Sequence, residues 1–198
     1  KRTFDQTPNM KKLTLPKNLQ ELSIEAFFGA NGLEEIQIPE GVTMLPEGSF
    51  GFCEALNKVE LPASITKIDK NAFQDCPNLE TVEMKEGLKY IAVYAFQNCK
   101  KLHDVKLPNS LETIENEVFL NCTDMSGLKL GSGLKTIGEK AFFHNHGIES
   151  LDFPETVEKI DYAAFAECLG LKRVSLGKSV TEVVDNPFLG CTALQAFE

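Results

Sequence analysis

The chain has 198 residues, 42% of them hydrophobic and 25% charged, a balance ordinary for a folded globular chain. Its 20 Lys and Arg against 29 Asp and Glu leave a net charge of −9, which argues against a protein that tracks nucleic-acid phosphates. No run of about 18 apolar residues occurs, so no stretch suits a membrane-spanning helix.

Along the chain one residue type keeps a strict period. Phe4, Phe27, Phe50, Phe73, Phe96, Phe119, Phe142, Phe165 and Phe188 are each 23 residues apart. A fixed period of this length means one supersecondary unit stacked on copies of itself. The expectation is a single array over 1–198, of about eight to nine repeats, starting and ending inside a repeat. A start at Lys1 within a repeat fits a removed leader or a trimmed piece better than a native N-terminus.

The order of elements after each Phe is the same. Three residues on stands Cys53, Cys76, Cys99, Cys122, Cys168 or Cys191, with Thr7, Ala30 and Asn145 as exceptions. Apolar residues then recur at six, nine and eleven, as in Leu56, Val59 and Leu61. The last two are spaced by two, the period of a strand with alternate side chains turned inward. Pro16, Pro39, Pro62, Pro108 and Pro154 follow at once and take the chain off the ladder. A turn comes next, as in Glu40-Gly41, Asn109-Ser110 and Ser132-Gly133. A second extended piece, such as Ile65-Thr66-Lys67-Ile68, leads into Ala-Phe-x-x-Cys. That last segment has period three, which predicts one helical turn directing Phe and Cys inward together.

Written out, the unit is Leu-x-x-Val-x-Leu-Pro-x-x-Leu-x-x-Ile-x-x-x-Ala-Phe-x-x-Cys. "Leu102-His-Asp-Val105-Lys-Leu107-Pro108" and "Ile68-Asp-Lys-Asn-Ala72-Phe73-Gln-Asp-Cys76" match it residue for residue. It resembles the 23-residue class of leucine-rich repeat found in BspA-like bacterial surface proteins and their treponemal relatives. The resemblance implies an α/β solenoid: a right-handed horseshoe of short parallel strands, turns and single helical turns, with a parallel sheet on its concave face. It also implies a bacterial cell-surface or secreted protein, adhesin-like in some members. Asn145 in place of Cys, Lys85, Gly131 and Gly177 in place of Pro, and Pro187 in place of Ala depart from the pattern.

The residues offer little chemistry. The six Cys share one repeat position and contain no Cys-x-x-Cys pair, so a ladder of buried thiols acting as small hydrophobes is expected over zinc or disulfides. His144 and His146 flank Asn145 with no third ligand apparent, so a solvated loop is expected there rather than a metal. No nucleophile elbow, phosphate loop, zincin helix or carboxylate pair occurs. The expected class is non-enzymatic and needs no cofactor.

Two surfaces are candidates for binding a protein or a glycan. On the strand, two rows point outward. The first is Lys12, Glu35, Lys58, Thr81, Asp104, Gly127, Ser150 and Arg173; the second is Thr14, Gln37, Glu60, Glu83, Lys106, Lys129, Asp152 and Ser175. These rows are polar, mixed in charge and without aromatics. The other candidate is a ridge one and two residues past the ladder Phe, where Phe28, Phe52, Leu120, Phe143 and Leu189 replace the usual polar residues. A spacer that holds further repeats or domains apart is the competing expectation.

Overall fold

The computed structural model describes residues 4, 5 and 7–198. The start at Lys1, read above as falling inside a repeat, lies outside the described residues. Each 23-residue unit forms one coil, and successive coils stack so that equivalent residues meet. Strands β2 (Glu35–Gln37), β4 (Lys58–Glu60) and β6 (Thr81–Glu83) pair in parallel with their 23-residue equivalents aligned, and β1 (Lys12–Leu13) joins β2 in the same register. The inward residue of each, such as Val59, enters the core, and the outward residues face solvent.

A second ladder runs down another side of the stack. It joins β3 (Met44–Leu45), β5 (Lys67–Ile68), β7 (Tyr90–Ile91), β8 (Thr113–Ile114), β9 (Thr136–Ile137), β11 (Lys159–Ile160) and β13 (Glu182–Val183) into one seven-stranded parallel sheet. This is the second extended piece of the repeat, and it is the longer of the two sheets.

The first sheet is broken in the middle. Beyond β6 only the bridge Lys106–Lys129 continues it, until β10 (Ser150–Asp152), β12 (Arg173–Ser175) and β14 (Ala196–Phe197) form a separate three-stranded sheet. Asp104 is the local cause. Its φ of 50° is left-handed, a conformation Asp tolerates and a strand excludes. The next coil answers with Gly127, where an added Cβ would lie 2.2 Å from the Asp104 carboxylate. The two residues form one device, because the Asp104 side chain fills the space a side chain at 127 would need.

The helical turn expected at Ala-Phe-x-x-Cys does not form; no helix occurs among the described residues. The segment is instead a third inter-coil backbone ladder. Asn71, Phe73 and Asp75 donate their N–H groups to the carbonyls of Val93, Ala95 and Gln97 of the next coil, at 3.2, 2.7 and 2.9 Å. The pattern recurs from Glu25 onward. Aiming alternate amides out of the coil requires left-handed backbone on either side of the Phe. The residue two before it (Glu25, Gly48, Asn71, Tyr94, Glu117, Lys140, Ala163, Asn186) has positive φ in each case, and so does the residue two after it (Gly29, Phe52, Asp75, Asn98, Asn121, His144, Glu167, Gly190). A helical turn needs consecutive right-handed residues, and this geometry interrupts them twice per coil.

At the second of these positions side chains also chain together. Asn98 Nδ2 donates to Asp75 Oδ1 at 2.8 Å, Asn121 Nδ2 to Asn98 Oδ1 at 2.9 Å, and His144 Nδ1 lies 3.1 Å from Asn121 Oδ1. Asn98→Val is expected to cost about 2–3 kcal/mol, since a β-branched residue is strained at positive φ and two hydrogen bonds are lost. Asn98→Gly should cost clearly less in urea unfolding, because glycine relieves the backbone strain.

The interior follows from the stacking. Rings from Phe4 to Phe165 lie nearly parallel with centroids 4.9–5.4 Å apart, and Phe50, Phe73, Phe96, Phe119, Phe142 and Phe165 are fully buried. The thiols form the parallel ladder expected, with a specific bond. Cys76 Sγ donates to Phe50 O at 3.0 Å and Cys99 Sγ to Phe73 O at 3.1 Å, in each case the ladder Phe of the preceding coil. All six cysteines are free; five are buried and Cys191 is half-buried. Burial holds the Cys99 and Cys122 thiols well above the usual range. The half-buried Cys191 thiol is instead lowered, chiefly through side-chain hydrogen bonding with Cys168. A thiol reagent is therefore expected to label Cys191 quickly in the native protein and the other five only on denaturation. Rapid native labelling at Cys76 or Cys99 would contradict the burial.

Candidate functional site on the first strand face

On the first coils the outward residues of the first sheet gather around one groove. Lys12, Glu35, Lys58 and Glu60, with Thr14 and Gln37, line a half-open groove of about 310 Å³. An adjoining hollow of about 370 Å³ takes Leu15, Ile38 and Leu61 with Pro39 and Pro62. Its apolar wall comes from the residue at position eleven and the proline after it, so the element that ends each strand also supplies the floor.

The charges are organised by pairing. Lys12 pairs with Glu35 on the next coil. Lys58 turns away from Glu35 to Glu60 at 2.8 Å and Glu83 at 3.8 Å. Hydrogen bonds to these carboxylates raise Lys12 and Lys58, and the Lys58 bond lowers Glu60. In the C-terminal sheet Arg173 grips Asp152 through two bonds, 2.7 and 3.1 Å, and this lowers the Asp152 carboxyl. The contribution of that pair is present above the ordinary carboxylate range and fades as pH falls through it. Such exposed pairs contribute little to stability and serve to set the charge pattern.

Thr81 and Asp104 lie farther along the first row. Thr81 is half-buried, and Asp104 is exposed with its carboxylate 3.1 Å from His103 Nδ1. Lys106 and Lys129 face one another across the bridge, both exposed, and neither forms an ion pair among the described residues. The strand face thus divides into a paired N-terminal groove, a central lysine pair and a paired C-terminal edge.

The ridge residues do not form one surface. Phe28 and Phe52 pack ring to ring at 5.1 Å, with Phe52 42% exposed, whereas Phe143 lies four coils away against His144 at 4.1 Å. His144 and His146 are each engaged by a neighbouring coil, His146 Nδ1 standing 2.9 Å from Glu167 O. Among the described residues no group of three or more His, Cys, Asp or Glu is placed to hold a metal.

Sequence reasoning passed over the outer face of the seven-stranded sheet. Tyr90 there donates its hydroxyl to Glu115, and Lys67 Nζ lies 5.6 Å above its ring. Burial, and then the Glu115 bond, push Tyr90 up to about 12. The signal was the lone aromatic in a row that otherwise reads Met44, Lys67, Thr113, Thr136, Lys159 and Glu182.

Comparison with known proteins settles the architecture. The profile of the BspA type leucine rich repeat region matches residues 1–126 and 113–198, in six copies. The chain belongs to the BspA-type leucine-rich repeat family. A leucine-rich repeat protein of T. pallidum is 28% identical, with a TM-score of 0.73 over 81% of this chain and 77% of that one. A leucine-rich repeat protein of Bacteroides ovatus is 25% identical, with a TM-score of 0.51 over 97% of this chain and 67% of that one. A third, from Eubacterium ventriosum, shares the fold at 17% identity and a TM-score of 0.54, over 84% of this chain and 60% of that one. No curated protein matches the chain. The BspA-type repeat here is a parallel-strand solenoid of stacked coils. No helix of the described residues is long and apolar enough to cross a membrane.

Proposed function

We propose that this BspA-type array is a non-enzymatic binding module for a protein or glycan at a bacterial cell surface or in a secreted protein. The observation that carries the reading is the groove on the first strand face. Side chains from successive coils, Lys12, Glu35, Lys58 and Glu60, converge on one hollow beside an apolar wall. Stacked coils present such a row at fixed spacing, which suits an extended partner. Family membership supports an interaction role, and the surface location follows the resemblance of the repeat to surface proteins.

The test is direct binding to a panel of purified extracellular-matrix proteins and glycans, followed by the same panel with Lys12→Glu and Lys58→Glu together. A component retained by the parent should be retained far less by this variant, whose folding should be intact because both side chains are exposed. A parent that retains nothing at micromolar concentration would leave the chain as a spacer between other parts of a larger protein.

A further inference from the structure

We propose that Lys106 and Lys129 form a docking point for one carboxylate of an acidic peptide segment whose neighbouring residues are apolar. This names a partner class for the strand face and rests on the binding reading above. Like charges set directly opposite on paired strands destabilise a sheet, so an exposed Lys–Lys pair calls for a partner. Elsewhere on this face the cations are matched: Lys12 with Glu35, Lys58 with Glu60 and Glu83, Arg173 with Asp152. The acids that flank the lysines in the same row are Glu83 and Asp152, and both are turned to other cations, at 3.8 Å and 2.7 Å. Asp104, two residues before Lys106, turns its carboxylate to His103 Nδ1 at 3.1 Å and over Gly127, so no ion pair among the described residues engages either ammonium group.

The size and surroundings of the site select the ligand. Adjacent parallel strands are about 4.8 Å apart, a spacing at which one carboxylate can lie between two ammonium groups. Glu60 and Glu83 lie to one side of the pair and Asp152 to the other, so a repeating polyanion would set its further charges against these acids. The site matches a single acidic side chain better than a sulfated polymer.

Apolar surface lies on the coils around the pair. Val82 and Met84 on one side and Leu128 and Leu130 beside Lys129 are half-buried, while Val105 and Leu107 of the Lys106 coil are closed, at 3% and 5% exposed. An acidic residue set among Leu, Val or Phe matches both features at once.

The test uses the full chain and a set of synthetic 12-residue peptides, each with Glu or Asp among Leu, Val and Phe, together with Gln or Asn counterparts. Binding is read by fluorescence anisotropy, with heparin as a sulfated polyanion in parallel. The acidic peptides should bind at least tenfold more tightly than their amide counterparts. Lys106→Gln with Lys129→Gln should lose that tenfold, while Lys100→Gln with Lys101→Gln, equal in charge change, should not. Lys129→Gln alone should melt no lower than the parent, because it removes a repulsion. Equal binding of acid and amide peptides, no effect of the 106/129 substitutions, or heparin bound more tightly than any peptide would each overturn the proposal. The panel experiment above stands apart, since a matrix component bound through the Lys12–Lys58 groove would leave the broader reading intact.

Discussion

Replacing Phe96 by alanine is expected to cost about 3–5 kcal/mol in urea unfolding. The ring is fully buried and stacked between Phe73 and Phe119, with centroids 5.1 Å away on each side and interplanar angles of 10° and 5°. Truncation removes the transfer energy of the ring and leaves a cavity that neither neighbour can fill, because each is held by its own stack. Alanine keeps the backbone bonds of this position, Phe96 N–H to Val118 O at 2.9 Å and the Cys122 thiol to the Phe96 carbonyl at 3.2 Å, so the loss reports the ring. Phe4 is half-buried and stacks on Phe27 at 5.4 Å, so Phe4→Ala should cost much less. In a stacked array each coil is stabilised by its neighbours, and the difference between the two variants measures that directly. Equal losses would contradict it.

The second large effect should be a gain. Asn145 stands where the repeat has Cys, and its Nδ2 reproduces the thiol bond, donating to Phe119 O at 2.8 Å. The amide brings an oxygen the thiol does not have, and Asn145 Oδ1 is buried without a hydrogen-bond partner. A buried unsatisfied acceptor costs about 1–3 kcal/mol, so Asn145→Cys is expected to stabilise the protein by an amount in that range. The new thiol would fill the gap in the ladder between Cys122 and Cys168. Asn145→Ala separates the contributions, because it removes the orphan oxygen and the good bond together and should gain less. A loss of stability in Asn145→Cys would show that the oxygen has a partner in solution.

Much of this was legible in the sequence because stacking turns position into burial. The 23-residue spacing of Phe named the core, the apolar pair at nine and eleven named the first strands, and Ile65–Ile68 marked the second sheet. What the spacing concealed was backbone sign. Ala-Phe-x-x-Cys reads as a helical turn by its period, yet Asn71, Asp75, Asn98 and Asn121 hold left-handed backbone on either side of the ring. Half of these positions carry Gly, Asn or Asp, and that was the available signal; Tyr94 and Lys140, with the same backbone, obscured it. The outward rows of the strand face were also legible from alternation alone. Which charges pair was not, because long side chains choose among several partners: Lys58 left Glu35 for Glu60 and Glu83. The isolation of Lys106 and Lys129 follows from such choices and from the break at Asp104, a residue unremarkable in the pattern.

The role of the strand face is tested most directly by covalent lysine footprinting of the intact chain, with and without the panel component or peptide it retains. Protection is expected at Lys12 and Lys58 for a ligand in the groove and at Lys106 and Lys129 for an acidic peptide, with Lys100 and Lys178 equally reactive in both states. Protection absent from all four strand-face lysines, or confined to Lys70 and Lys140 beside the ladder-Phe turns, would contradict the assignment of binding to this face.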